Sequence, residues 1–182
     1  MYEGKKVRLR ALRREDAPFF VRWMNSYETQ RNLGGQPHPL NLQDEERWIN
    51  SAFTRDDEHP FAVETLDGQL LGSCNVHGIR WGNRCCQVGW VICDPSQRGK
   101  GYGRDMIETL LRYCFCELCM HKVELKVYDF NTGARRLYES VGFLLEGCAR
   151  EHEFIGGRWH DDCQYGMLDR EYFDRYGLPE AP

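Results

Sequence analysis

The chain has 182 residues, 41% of them hydrophobic and 29% charged, the length and balance of one domain able to bury its own core. A formal net charge of −4 leaves no broad basic footprint of the kind that nucleic-acid binders carry. No apolar stretch reaches the roughly 18 residues of a membrane span, and the start, Met1-Tyr2-Glu3-Gly4-Lys5, lacks the apolar heart of a secretion signal. The composition therefore points away from nucleic-acid and membrane partners. The nine cysteines are odd in number and not spaced as a disulfide framework. Cys86 and Cys114 fall at apolar-patterned positions that suit buried thiols. We read a reduced, cytoplasmic protein.

The first predicted element is a strand over Lys6–Leu12, where Val7, Leu9 and Ala11 alternate with Arg8 and Arg10. A helix follows Arg13-Arg14-Glu15-Asp16 and carries Phe19, Phe20, Trp23 and Met24, with Pro18 tolerated in its first turn. The segment 33–39 reads as loop, and a second helix is expected from about Leu42 to Phe53. Strands over Phe61–Leu66 and Gln69–Ile79 flank Asp67-Gly68, a hairpin signal. After Gly82-Asn83, Cys86, Val88, Trp90 and Ile92 alternate along a further strand ending near Asp94. Gly89 inside it suggests a bulge or a close backbone approach. A helix over Arg104–Cys119 shows an apolar stripe of Met106, Ile107, Leu110, Leu111, Cys114, Phe115 and Leu118. Val123, Leu125 and Val127 mark a strand, and Asn131–Val141 a short helix. Strands over Phe143–Phe154 and Trp159–Leu168, turned at Gly156-Gly157, close a single domain over residues 1–176. Residues 177–182 read as a tail.

Between the Cys86–Asp94 strand and the long helix stands Arg98-Gly99-Lys100-Gly101-Tyr102-Gly103. Its glycines permit a sharp turn and a close ligand approach, and the helix start offers unpaired amides at the positive end of a dipole. That combination suits phosphate. It is not a P-loop, because Lys100 is followed by Gly101 rather than Ser or Thr. It is not a dinucleotide fingerprint, because Gly99, Gly101 and Gly103 are evenly spaced. From the loop alone, a glycine-rich helix entry without any ligand stays open.

Arg98-x-x-Gly101-x-Gly103 in this position resembles the Q/R-x-x-G-x-G/A motif of the GNAT acetyltransferase superfamily. Asn131-x-x-Ala134-x-x-Leu137-Tyr138-Glu139-x-x-Gly142-Phe143 is similar to the later helix-and-strand motif of that family. The resemblance covers about Val7 to Leu168. It implies an α/β fold with a mixed, mostly antiparallel sheet, splayed in the middle and flanked by about four helices. It further implies acetyl-CoA as co-substrate, with no metal. Arg98, Gly99, Lys100, Gly101, Tyr102 and Gly103 would hold its pyrophosphate. Val91 and Ile92 would contact its pantetheine arm through backbone groups, and Asn131, by sequence an N-cap, would touch the same arm. The opening Lys6–Leu12 with Glu15-Asp16 and Trp23-Met24-Asn25 is similar to the ribosomal-protein alanine acetyltransferase (RimJ/RimL-like) branch. That branch also holds spermidine and antibiotic acetyltransferases.

Acetyl transfer to an amine needs a neutral amine, a polarised thioester carbonyl and a proton donor for the departing thiolate. Tyr138 shares a helix face with Ala134, Leu137 and Val141, and by resemblance it is the donor. Related enzymes often carry a Glu where this chain has Gln87, which cannot take a proton at neutral pH. A base can instead come from the closing hairpin. A two-residue turn at Gly156-Gly157 sets Glu153 opposite His160 and His152 opposite Asp161, making Glu153 and Asp161 candidates beside a simple water chain. Cys114, Cys116 and Cys119 do not share a helical face, so the cluster ending at His121 is not a zinc site. Asp56-Asp57-Glu58 reads as a solvated acidic loop. The expected activity is direct transfer from acetyl-CoA to a primary amine in a ternary complex, with a peptide N-terminus or a small molecule as acceptor. Acceptor recognition is expected from the first two helices, the Tyr27–Pro39 loop and the last hairpin. The alternatives are a polyamine or aminoglycoside acetyltransferase, or a non-catalytic acyl-CoA sensor on the same fold. A homodimer is open.

Overall fold

The computed structural model describes residues 1–33, 38–52 and 54–177. The expectations placed on residues 34–37, on Phe53 and on the tail after Gly177 lie outside the described residues. Among the described residues eight strands form one sheet: β1 (Tyr2–Glu3), β2 (Val7–Arg10), β3 (Glu58–Thr65), β4 (Leu70–Arg80), β5 (Cys85–Ile92), β6 (Lys122–Tyr128), β7 (Leu144–Ile155) and β8 (Arg158–Leu168). Their order across the sheet is β1-β2-β3-β4-β5-β6-β8-β7. Every neighbouring pair is antiparallel except β5 with β6. That parallel step is possible because the intervening chain crosses over through a helix.

Among the described residues six α-helices flank the sheet: α1 (Ala17–Met24), α2 (Tyr27–Leu33), α3 (Leu42–Ala52), α4 (Tyr102–Arg112), α5 (Thr132–Val141) and α6 (Asp169–Tyr176). Adjacent strand residues point to opposite faces, and two apolar clusters follow from this. Val63 joins the main core with Met106, Ile107, Leu110 and Leu111 of α4 and Val123 and Leu125 of β6. Ala62, on the other face, joins Leu12, Ala17, Phe20, Ile49 and Cys93, which hold α1 and α3. The corner between β2 and α1 is fixed by a buried ion cluster. The Arg10 guanidinium pairs with both Asp16 oxygens at 2.8 and 2.9 Å and with Glu64 at 2.6 Å.

Several expectations change. The Tyr27–Pro39 loop contains α2, so three α-helices, rather than two, precede β3. The edge strand β1 and helix α6 were not anticipated. The long helix is α4 followed by a π-type turn at Tyr113–Glu117, which breaks the 3.6-residue period before Cys119. The reading of all nine cysteines as thiols is overturned. Cys148 of β7 and Cys163 of β8 are disulfide-bonded and stand opposite each other in register, with Cα atoms 4.1 Å apart.

Gly89 pairs in regular register with Asn75 rather than sitting in a bulge. The close approach is real, since a Cβ there would lie 3.0 Å from Asn75 Oδ1. The hairpin bulge lies elsewhere: Arg150, Glu151 and His152 together oppose Asp161, between the pairs Ala149–Asp162 and Glu153–His160. Glu151 takes the bend with a positive φ of 49°.

Candidate active site

The sheet forks at its centre. β5 and β6 pair only through Cys85–Lys122, Cys86–Val123 and Gln87–Glu124. Beyond these rungs, Val88–Ile92 on one side and Leu125–Tyr128 on the other line an open cleft of about 950 Å³, a size suited to a ligand of cofactor dimensions. Gln87 belongs to the last closed rung, between His77 and Glu124, just below the fork.

One wall of the cleft carries the glycine loop. Asp94 accepts the Ser96 amide at 2.8 Å and starts a short helical turn over Pro95–Gln97. The chain then bends through Gly99 and Gly101, with φ of 76° and 87°, a left-handed region that favours glycine. Gly101 thereby caps α4, and it lines the cleft with Gly103 and Arg104 of the helix's first turn, an anion site of the kind described for helix starts. Asp105, in that first turn, accepts the amides of Lys5, Lys6 and Val7 at 2.9, 2.7 and 2.9 Å. Lys6 Nζ in turn donates to the Lys100 carbonyl at 2.8 Å. The N-terminal segment thus anchors the helix that carries the loop. These features fit a pyrophosphate: a left-handed cradle, a helix start and nearby cationic side chains.

Gly99, Gly101, Gly103 and Arg98 line the cleft together with Val91, Ile92 and Asn131. Arg98 is also ion-paired with Glu28 of α2. Two predicted ligands are placed differently. Lys100 does not line the cleft, and its ammonium donates to Gln97 Oε1 at 2.9 Å. The Tyr102 ring packs against the main core, so only its backbone belongs to the loop. Asn131 caps α5, accepting the Ala134 amide at 3.3 Å.

Tyr138 lines the cleft from α5 and is buried. Its ring meets Trp90 of β5 edge-on at 5.0 Å and Tyr165 of β8 at 6.1 Å. Burial pushes its phenol well above the usual range, only partly countered by Trp90. The hydroxyl therefore keeps its proton at neutral pH.

The opposite wall carries carboxylates alongside Lys126 and His152. Glu153 lines it and stands opposite His160, whose Nδ1 lies 3.0 Å from Asp129 Oδ1. Asp161 does not line the cleft. The bulge turns it aside, and its carboxylate accepts the Glu151 amide at 2.9 Å. Its neighbour Asp162 lines the cleft instead, together with His152 from the bulge. Alternation could have found it: Cys163, Tyr165 and Met167 face the main core, so Asp162 must face the opposite side. Tyr128 sits beside it in register. Its phenol is pushed up to about 12, first by burial and then by the charges of Glu153 and Asp162.

Comparison with known proteins agrees with this geometry. The family model described as "Acetyltransferase (GNAT) domain" matches residues 6–144. The spermidine N(1)-acetyltransferase of Vibrio cholerae is 32% identical over 175 residues, covering 94% of this chain and 98% of that one. An SPbeta prophage-derived N-acetyltransferase of Bacillus subtilis (strain 168), YokL, is 30% identical over 176 residues, covering 97% of each chain. The crystal structure of the Vibrio cholerae spermidine N-acetyltransferase with CoA and spermine superposes with a TM-score of 0.86 at 30% identity, covering 92% of this chain and 98% of that one. The same Vibrio enzyme is also known as a dodecamer.

Proposed function

Since the chain belongs to the GNAT acetyltransferase family and is an acetyl-CoA-dependent N-acetyltransferase, we propose that its acceptor is a polyamine such as spermidine. A peptide N-terminus, one of the acceptors left open by the sequence, is the lesser reading. The observation that carries the polyamine is the polarity of the cleft. The anion-binding loop, Tyr138 and the carboxylates of Glu153 and Asp162 line one cleft, the loop following β5 and the carboxylates standing on β7 and β8 across the fork. The near full-length similarity to spermidine acetyltransferases points the same way.

Acetyl-CoA supplies an activated acetyl thioester when bound. The glycine loop and the start of α4 hold its pyrophosphate, and Arg98 adds positive charge there. The free edge of β5 offers the backbone groups of Ile92 to the pantetheine arm, since those of Val91 turn toward Ser73 of β4, and Asn131 adds a contact from the start of α5. The acceptor approaches from the carboxylate side as an ammonium and reacts after losing a proton. Glu153, lining that side, takes the proton directly or through water. The amine nitrogen bonds to the acetyl carbon as the carbon–sulfur bond breaks, and Tyr138 gives its phenolic proton to the sulfur. The position of Gln87 below the fork removes it from this path.

The test is CoA release measured against spermidine, an alanyl peptide and an aminoglycoside. Turnover of spermidine well above the other two is the expected result. Turnover of the peptide alone would overturn the polyamine reading.

A further inference from the structure

One group in the cleft is left incomplete by the fold itself. Asp162 is only 8% exposed, yet its Oδ1 has no hydrogen-bond partner among the described residues. A buried, unpaired carboxylate oxygen is costly. It is kept where a ligand supplies what the protein withholds. The other oxygen, Oδ2, is compensated by Lys126 Nζ at 3.3 Å. The side chain thus has one satisfied side and one vacant acceptor in a residue that lines the cleft.

The titratable neighbours sort the chemistry of the missing partner. Glu153 and His152 line the same cleft. Tyr128 lies opposite Asp162 on β6, and its raised phenol stays neutral. Among the described residues Lys126 is the cation paired with Asp162, and its side chain is half exposed. Two carboxylates line this cleft, Glu153 and Asp162, and both act on Tyr128; an unsatisfied carboxylate in such a field favours a cation, and an ammonium group also supplies N–H donors.

Position then decides which ammonium. Tyr138 packs on Tyr165, and Asp162 lies three residues back along β8, about 10 Å by the rise of a strand and on the opposite face of the sheet. A carboxylate pairing also holds an amine in its charged form, the opposite of what a reacting amine needs. The amine at Asp162 is therefore not the one acetylated beside Tyr138. We propose that Asp162 anchors a second ammonium group of the acceptor, a few methylenes away from the amine that reacts. This deepens the polyamine reading and rests on it. It demands an acceptor with at least two amines on one flexible chain, which a peptide with a lone N-terminal amine does not satisfy.

The test uses Asp162→Asn, which keeps shape and removes charge, with Lys126→Gln as control. Asp162→Asn should raise the KM for spermidine about tenfold or more, the scale of a lost charged hydrogen bond. The KM for acetyl-CoA should be unchanged. Lys126→Gln removes the ion pair but leaves the carboxylate, so its spermidine KM should stay level or fall. A purely structural role for Asp162 would instead make the two variants alike. An unchanged spermidine KM in Asp162→Asn overturns the anchor.

Calorimetric titration of spermidine into the CoA-bound protein separates the two readings. Binding that depends on Asp162 without turnover keeps the anchor and sinks polyamine acetylation. Turnover that ignores Asp162 does the reverse. Should the Asn variant fail to fold, the wild-type protein still decides. Putrescine must raise the melting temperature of the CoA-bound protein more than butylamine at equal concentration. Equal shifts, or none, overturn the proposal.

Discussion

Trp90 and Tyr138 meet edge-on across the fork of the sheet, with ring centroids 5.0 Å apart and planes at 81°. Trp90 comes from β5 and Tyr138 from α5, so the contact ties the helix to one wall of the cleft, and the Trp90 side chain also hydrogen-bonds the Tyr138 hydroxyl. Replacing Tyr138 by Phe keeps this packing and removes only the hydroxyl. Steady-state CoA release should show kcat lower by about 100-fold or more, with the KM for acetyl-CoA little changed. Because burial raises the phenol, the wild-type kcat should not decline on the alkaline side until above the ordinary tyrosine range. An alkaline limb near neutral pH would assign the acid elsewhere.

Gly101→Ala tests the cradle. A side chain there must adopt a φ of 87° and bring a Cβ to 3.0 Å from Lys6 Nζ. The lysine tip can move, but the backbone cannot, so the strain is about 1 kcal/mol. The expected outcome is a modestly lower melting temperature and a raised KM for acetyl-CoA, read from a thermal melt and the CoA-release assay.

Asp105 draws three consecutive amides of the N-terminal segment onto α4. Asp105→Asn removes the charge and turns an amide N–H₂ or a single oxygen toward those donors. The loss should be on the order of 3 kcal/mol in urea unfolding. Since α4 carries the glycine loop, the stabilisation conferred by acetyl-CoA in a thermal melt should shrink as well.

Glu45 of α3 is buried, and burial raises its carboxyl to about 6. A carboxyl raised on folding binds its proton more tightly in the native state. Its contribution is therefore most favourable at low pH and is lost as pH rises through about 6. Glu45→Gln should add about 2 kcal/mol of stability at pH 7.5, with the difference vanishing below about pH 4.5. Denaturant melts at the two pH values check the sign.

The elements that position the cofactor loop were plain in the sequence because each repeats a local rule. The apolar stripe from Met106 to Leu111 and the evenly spaced glycines state a helix and its entry, and strand alternation states most of the sheet. What escaped depends on longer range. Helix α2, Tyr-Glu-Thr-Gln-Arg-Asn-Leu, is polar nearly throughout and has no face to announce it. The disulfide was hidden by register. A plain two-residue turn at Gly156-Gly157 puts Cys148 opposite Tyr165 and His152 opposite Asp161. The bulge at Arg150–His152 shifts the pairing so that Cys148 meets Cys163. It also turns Asp161 to a backbone amide. No residue type in that stretch requires a bulge, and Glu151 takes its positive φ without being glycine. Asp162, by contrast, was legible from its own strand. Its parity against Cys163, Tyr165 and Met167 places it on the face away from the main core without knowledge of the partner strand.

The three rungs that join β5 to β6 make the molecule two half-sheets with a short seam. One half is a run of antiparallel strands from the N-terminal edge, and the other is the closing hairpin with β6. Above the seam each half presents an unused strand edge to the gap. A ligand lying there occupies the place of a missing strand, so the substrate doubles as building material. Catalysis and the cohesion of the fold then share the same few ångströms.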